Sequence, residues 1–262
     1  MSDTQPLLET RQLTINFGGH YAVNAVSCGF HAGTLTTIIG PNGAGKTTWF
    51  NLISGQLKAT NGEILLAGED ITQLSTEART DKGLGRAFQL TSLFPSLSAQ
   101  ENVRLAVASR HRIGHNFWSQ AHKGRAILDQ AMWYLEQVNL AHRADEPVAN
   151  LPHGDQRKLE VALLMALEPR VFMFDEPTAG MSVDEVPVIL DLIGKLKQQT
   201  DKVILLVEHK MDIVRSLSDR IVVLHNGELV ADGEPDAIIA SSVVQEAYLG
   251  TASADATKEA TA

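Results

Sequence analysis

Nine consecutive residues, Gly40-Pro41-Asn42-Gly43-Ala44-Gly45-Lys46-Thr47-Thr48, constrain this chain more than any other stretch. They fit the pattern G-x-x-x-x-G-K-[ST], with Gly43 as an additional glycine. The apolar run Leu35 to Ile39 precedes them, and the spacing predicts a helix from Lys46 to Ser54, ended by Gly55. Strand, loop and helix in that order make a phosphate cradle. Glycines let backbone N–H groups approach phosphate oxygens with no Cβ in the way. The helix N-terminus adds donors and a favourable dipole. In such a cradle Lys46 reaches the β- and γ-phosphates of a nucleoside triphosphate, and the Thr47 hydroxyl sits on Mg2+. The alternative is an accidental glycine-rich turn, against which the flanking strand and helix speak.

The 262 residues suffice for one large core, or for one domain with a subdomain. No apolar stretch reaches the ~18 residues of a membrane helix, and Met1 to Pro6 lacks a basic and then apolar signal region. The expected location is therefore cytosolic, or peripheral to a membrane through partners. A net charge of −9 argues against nucleic acid as a partner, because affinity for it comes largely from neutralised phosphates. The single cysteine, Cys28, has no internal disulfide partner and reads as a small core residue rather than a catalytic thiol.

Leu7 to Phe17 and Tyr21 to Phe30 alternate like antiparallel strands about a Gly18-Gly19 turn. Gly62 to Leu66 reads as a strand, Gly68-Glu69-Asp70 as a tight turn, and Arg86 to Gln89 as the end of an extended piece. From about Ser98 to Leu140 the pattern is helical, with Leu128, Met132, Leu135 and Val138 as an apolar stripe. Leu159 to Leu167 and Val183 to Gln199 also read as helices. Val171 to Phe174 and Val203 to Val207 are short buried strands, and Ile221 to Leu224 joins Glu228 to Ala231 through Asn226-Gly227 as a hairpin. Two short helices and an Ala/Thr/Ser tail from Thr251, expected to be disordered, complete the chain. The expected fold is α/β: a mainly parallel sheet, an antiparallel β subdomain at one side, and a helical subdomain inserted over about 90–160.

Open α/β sheets bind ligands at the carboxyl ends of their strands. Three apolar runs here end in useful chemistry: Ile38-Ile39 in the glycine-rich loop, Val171 to Phe174 in Asp175-Glu176, and Ile204 to Val207 in Glu208-His209. Asp175 is the expected Mg2+ ligand, being a hard oxygen donor. Glu176 is placed to orient or deprotonate an attacking water, and His209 to hydrogen-bond the γ-phosphate. A solvated turn at Asp175-Glu176 and a structural role for His209 are the alternatives.

Taken together, these motifs resemble the ATP-binding subunits of ABC transporters, over about Leu7 to Leu249. Gly40 to Thr48 matches Walker A. Gln89 matches the Q-loop, followed by Leu93 to Ser98 and Glu101-Asn102-Val103. Leu151-Pro152-His153-Gly154-Asp155-Gln156 matches the signature motif, and Val171 to Glu176 matches Walker B. Ala179-Gly180-Met181-Ser182 stands at the D-loop, His209 at the switch histidine, and Phe17 at the aromatic residue that stacks on adenine. The resemblance implies a P-loop NTPase in one ATPase domain over 1–250, with ATP and Mg2+ as cofactors. Nucleotide contacts fall to Phe17, Gly40 to Thr48 and Pro152 to Asp155, metal contacts to Thr47, Gln89 and Asp175, and catalysis to Glu176, His209, Lys46 and Gln89. It further implies a head-to-tail pair with a second, identical or paralogous, ATPase subunit. Each ATP then lies between one P-loop and the other subunit's signature motif. Two transmembrane permease subunits, and indirectly a periplasmic solute-binding protein, complete the machine at the cytoplasmic face of the inner membrane.

Phe17-Gly18-Gly19, the run Gly154 to Glu160 and the ending Ala247-Tyr248-Leu249-Gly250 look most like importers of branched-chain amino acids, with related urea and amide importers as the alternative. Two positions depart from the family pattern. Pro152 replaces a hydroxyl residue, a donor His153 is proposed to replace, and Ser182 stands where the D-loop usually has an acid. The Pro152 departure motivates another reading, a nucleotide-binding switch with weak turnover. His111-x-x-x-His115 has helical zinc-ligand spacing without further ligands, and the basic, aromatic stretch 110–125 reads as surface or as permease or headgroup contact.

Overall fold

Strands and helices alternate through the computed structural model, which describes residues 5–87, 93–110, 120–242 and 244. In chain order they are β1 (Leu8–Phe17), β2 (His20–Phe30), β3 (Thr34–Ile39), α1 (Lys46–Ser54), β4 (Asn61–Leu66), β5 (Glu69–Asp70), α2 (Thr76–Asp81), β6 (Leu84–Ala87) and α3 (Ala99–Arg110). Then come α4 (Gln120–Gln137), α5 (His153–Ala166), β7 (Val171–Asp175), α6 (Val186–Lys197), β8 (Val203–Val207), α7 (Met211–Leu217), β9 (Arg220–His225), β10 (Glu228–Gly233) and α8 (Pro235–Ile239). The chain divides into two units, one of Met1–Lys82 with Gln199–Ala262 and one of Gly83–Gln198.

In the first unit an antiparallel sheet runs in the order β2-β1-β4-β5. The alternation expected of β1 and β2 is broken by two irregular positions, Gln12 and Ala25, whose φ values are 47° and 51°. Each is a bulge that shifts the register. Side chains take up their amides: Gln12 N donates to Ser27 Oγ at 2.8 Å, and Ala25 N to Thr14 Oγ1 at 3.0 Å. The turn expected at Gly68-Glu69-Asp70 lies one step earlier. Ala67 and Gly68 are both left-handed, at φ 52° and 80°, which suits the twist of a hairpin, so Glu69 and Asp70 are free to pair as β5.

The same unit holds β3 between β8 and β9, parallel to both, with β10 antiparallel to β9. β8 is buried at every position and β3 at all but its first residue, the signature of parallel strands covered on two faces. The β9–β10 hairpin turns at Asn226-Gly227 with φ 50° and 79°, as the sequence predicts. Trp49 of α1 packs on Phe30 of β2, ring centroids 5.7 Å apart. Val214 of α7 and Ile238 of α8 close a cluster over Ile39, Ile221 and Val223. Sequence periodicity missed α7, which is too short at seven residues for a 3.6-residue repeat to declare itself. Cys28 is buried as expected, and desolvation pushes its thiol up to about 12, leaving it inert.

In the second unit β6 and β7 pair in parallel, and α3, α4 and α5 pack on one another. The apolar stripe expected on α4 is rotated. Ile127, Ala131, Tyr134, Leu135 and Val138 are buried, while Leu128 is exposed. α5 starts well before Leu159, at His153. α6 starts later than expected, at Val186, leaving Val183 exposed. Pro187 explains that boundary, since its fixed φ and missing N–H suit the first turn of a helix and nowhere deeper.

Candidate functional site

The glycine-rich loop joins β3 to α1 in the first unit, as its sequence requires. Gly43 and Gly45 are left-handed, at φ 80° and 97°. Gly45 has no room for a side chain, because a Cβ there would overlap Ala22 O of β2. The first helical bond of α1 runs from Trp49 N to Gly45 O at 2.8 Å, so the amides of Lys46, Thr47 and Thr48 precede it at the positive end of the helix. Lys46 is buried, and its Nζ donates to Gly40 O at 2.6 Å and Pro41 O at 3.0 Å. The ammonium is thus held against the carbonyls at the start of the loop. Thr47 is exposed on the first turn. Asn42 and Gly43 are exposed, Pro41 and Ala44 buried.

Two supports for this loop come from distant sequence. Gly227 N, in the β9–β10 turn, donates to Ala44 O at 3.0 Å, and Asn24 N of β2 donates to Gly227 O at 2.8 Å. Arg79 of α2 is buried under the far end of α1. It donates to Leu52 O and Ile53 O at 2.6 Å each, and to Thr72 O at 2.7 Å. Burial pulls this guanidinium down to about 10, so it stays charged at neutral pH. It supplies the cation that the last turn of α1 lacks.

Also in the first unit, β8 ends beside β3, and Glu208-His209 follow it. Glu208 is buried, and its Oε2 accepts from His209 N at 2.8 Å and Lys210 N at 3.3 Å. That carboxylate fixes the backbone from which the His209 ring, about half exposed, projects. Phe17 ends β1 with half its surface exposed, and Tyr21, equally exposed, stands opposite Asn16 across the turn. Tyr21 is a second exposed ring on this edge, and no sequence motif marks it.

In the second unit β7 is buried throughout and ends in Asp175. Its carboxylate is held by Arg86 of β6, Nη2 to Oδ2 2.8 Å, both side chains almost fully buried. Burial pulls the Arg86 guanidinium down and the Asp175 charge opposes the shift. Arg86 was not singled out from sequence, since nothing local marks it as the partner of a residue 89 positions away. Glu176 follows with φ 50°, a left-handed conformation that a non-glycine residue adopts only when its surroundings impose it. Ala179 N donates to Glu176 O at 3.0 Å and closes the turn.

The signature segment opens α5. Pro152 is its N-cap and provides no side-chain cap, and the first helical bond runs from Gln156 N to Pro152 O at 3.0 Å. The amides of His153, Gly154 and Asp155 therefore stand at the positive end of a 14-residue helix. Asp155 pairs with Lys158 at 2.9 Å and with Arg143 at 3.3 Å. Gln89, residues 111–119 with both histidines of the H-x-x-x-H pattern, the ending 247–250 and the tail 251–262 lie outside the described residues. Among the described residues no cluster of His, Cys, Asp and Glu gathers as a metal site, and no helix is long and apolar enough to cross a membrane. The donors expected to serve Mg2+, the Asp175 carboxylate and the Thr47 hydroxyl, are both hard oxygens, which suits that ion when phosphate oxygens complete its shell.

Comparison with known proteins agrees with this chemistry. A family model described as ABC transporter matches residues 23–179. The chain is 40% identical over 256 residues to the high-affinity branched-chain amino acid transport ATP-binding protein BraF of Pseudomonas aeruginosa, covering 95% of this chain and 100% of the relative. It is 38% identical, over the same shares, to LivG of Escherichia coli K12, which carries the same description. Among solved structures it resembles the ADP conformation of MJ1267, an ATP-binding cassette of an ABC transporter. The TM-score is 0.78 and the identity 28%, over 94% of this chain and 100% of that one. With a family model over residues 23–179 and relatives matched over nearly the full chain, the chain belongs to the ABC transporter family as an ATP-binding subunit that hydrolyses ATP.

Proposed function

We propose that this chain powers an importer of branched-chain or chemically related amino acids, hydrolysing MgATP where two such subunits meet. The observation that carries this reading is the full-length similarity to BraF and LivG, whose descriptions name branched-chain amino acid transport. Residues 40–48 bind the triphosphate, with Lys46 neutralising the β- and γ-phosphates and Phe17 stacking on the base. Thr47, Asp175 and Gln89 hold Mg2+, which when bound shields the phosphate charge. Glu176 takes the proton of the attacking water, and His209 holds the γ-phosphate. The α5 end, Pro152 to Asp155, serves the nucleotide of the second ATPase subunit, its His153 standing in for the missing hydroxyl. Membrane attachment comes through two permease subunits, at the cytoplasmic face.

Two measurements test this. Lys46→Ala is expected to weaken Mg2+-dependent binding of a fluorescent ATP analogue by about 10- to 100-fold, since a charge-assisted bond is worth ~1.5–3 kcal/mol. Unchanged affinity contradicts the cradle. Deleting the gene is expected to abolish high-affinity uptake of radiolabelled leucine, isoleucine and valine. Uptake that stays intact while urea or amide uptake disappears assigns the subunit to that other class of importer.

A further inference from the structure

The second unit contains a carboxylate that the reading above does not use. Glu185 lies just before α6, and its Oε2 accepts from Ser182 N at 3.2 Å and from Ser182 Oγ at 2.9 Å. Its Oε1 is 3.2 Å from Lys158 Nζ on α5, and Lys158 in turn holds Asp155 at 2.9 Å. The carboxylate is also pressed against Gly154. A Cβ at that position would overlap both Glu185 oxygens, so the carboxylate rests in the space that the missing side chain leaves on the first turn of α5. Beside it the His153 ring borders Gly180. One acid therefore joins two segments by hydrogen bonds, an ion pair and a steric fit. One segment is the turn that runs from Glu176 to Ser182. The other is the end of α5 that presents the amides of 153–155.

We propose that Glu185 is a positioning residue for hydrolysis, holding the turn that carries Glu176 in register with the phosphate-facing end of α5. This rests on the reading of Pro152 to Asp155 as a nucleotide-facing motif. The connection from Glu176 to Ser182 is short and internally bonded, through Ala179 N to Glu176 O and Met181 N to Thr178 O. It ends at Ser182, whose carbonyl accepts from Glu185 N at 3.1 Å and Val186 N at 3.3 Å. A displacement at either end is thereby passed to the other, because the segment has little slack. The side chains carry the same message in their protonation. The Ser182 hydroxyl foremost, with Lys158, holds the Glu185 carboxyl below the usual carboxylate range. Although burial pulls the Lys158 ammonium down, its bonds to Asp155 and Glu185 outweigh this and leave it raised. The charges of the bridge are thus fixed across the neutral range. Glu185 touches no reacting atom and is bonded most closely to the turn that carries Glu176, so its effect falls mainly on the rate of the chemical step.

The test uses the assembled transporter and three variants, with kcat and KM for ATP hydrolysis as readouts. Glu185→Ala is expected to lower kcat at least tenfold with KM for ATP within twofold of the parent. Glu185→Gln keeps an acceptor for Ser182 and is expected to recover at least half of the parental kcat. Ser182→Ala removes the hydroxyl that donates to Glu185 and is expected to lower kcat in the parent but to add little in the Glu185→Ala background, where that bond is already gone. A parental kcat for Glu185→Ala overturns the proposal. So does a Gln variant as impaired as the Ala variant, or a Ser182→Ala loss that ignores residue 185. If the parent complex hydrolyses no ATP, the proposed function falls first and takes this inference with it.

Discussion

Glu176→Gln is expected to cut steady-state ATP hydrolysis by about 100- to 10,000-fold, the usual contribution of a positioned general base, while MgATP still binds. Glutamine is isosteric with glutamate, so the left-handed turn at φ 50° and the bond from Ala179 N to Glu176 O are retained. What is lost is the one carboxylate that directly follows the buried end of β7 and is able to receive the proton of an attacking water. The neighbouring Asp175 is an inadequate substitute, because Arg86 already occupies one of its oxygens at 2.8 Å. Binding is expected to survive because the phosphate cradle belongs to β3 and α1, elements the substitution does not touch. The consequence is a subunit arrested with ATP in place. Phosphate release, labelled-ATP binding and size-exclusion chromatography with ATP check the three parts of this outcome, and rapid turnover by the variant removes Glu176 from its assigned role.

Arg79→Met is expected to destabilise the chain by about 1.5–3 kcal/mol, the range for losing hydrogen bonds from a charged donor and leaving buried carbonyls unpaired, and to lower Tm by several degrees. Methionine fills much of the space but donates nothing. The carbonyls of Leu52, Ile53, Thr72 and Leu74 then lose a shared donor in a region that water does not reach readily. Two of those carbonyls lie in the last turn of α1, so the loss falls on the helix whose other end is proposed to hold phosphate. Urea denaturation followed by circular dichroism measures it. A loss below about 1 kcal/mol would show that backbone or water takes over the carbonyls. Nucleotide affinity is expected to fall less than for Lys46→Ala, because the amides at the start of α1 are set by Gly43 and Gly45 and by the contacts of the loop with Ala22 and Gly227.

The features legible in the sequence are those written in consecutive residues. The loop from Gly40 to Thr48, the helix Lys46–Ser54 with its Gly55 stop, the buried strands at 171–174 and 203–207 and the Asn226-Gly227 hairpin follow from backbone preference and apolar runs. Where local signals are ambiguous, sequence and structure part. The hairpin turn after β4 sits on Ala67-Gly68 because left-handed φ at an alanine has no mark in the sequence. Leu128 joined the expected stripe on α4 by spacing alone, whereas the neighbours that α3 and α5 present select Ile127, Ala131 and Tyr134 for burial. α7 escaped because seven residues give a helical repeat only two turns in which to appear.

The sequence by itself determined the loop proposed to hold a nucleotide's phosphates, since dihedral freedom at Gly43 and Gly45 and a lysine at the following helix start are properties of adjacent residues. Only the tertiary structure decided what steadies that chemistry: Arg79 under α1, Arg86 on Asp175, Gly227 on Ala44, and Glu185 wedged against Gly154. These contacts join positions far apart along the chain. A hydrogen bond or an ion pair acts over about 3 Å whatever the separation in sequence, so no local pattern announces it until the chain has folded.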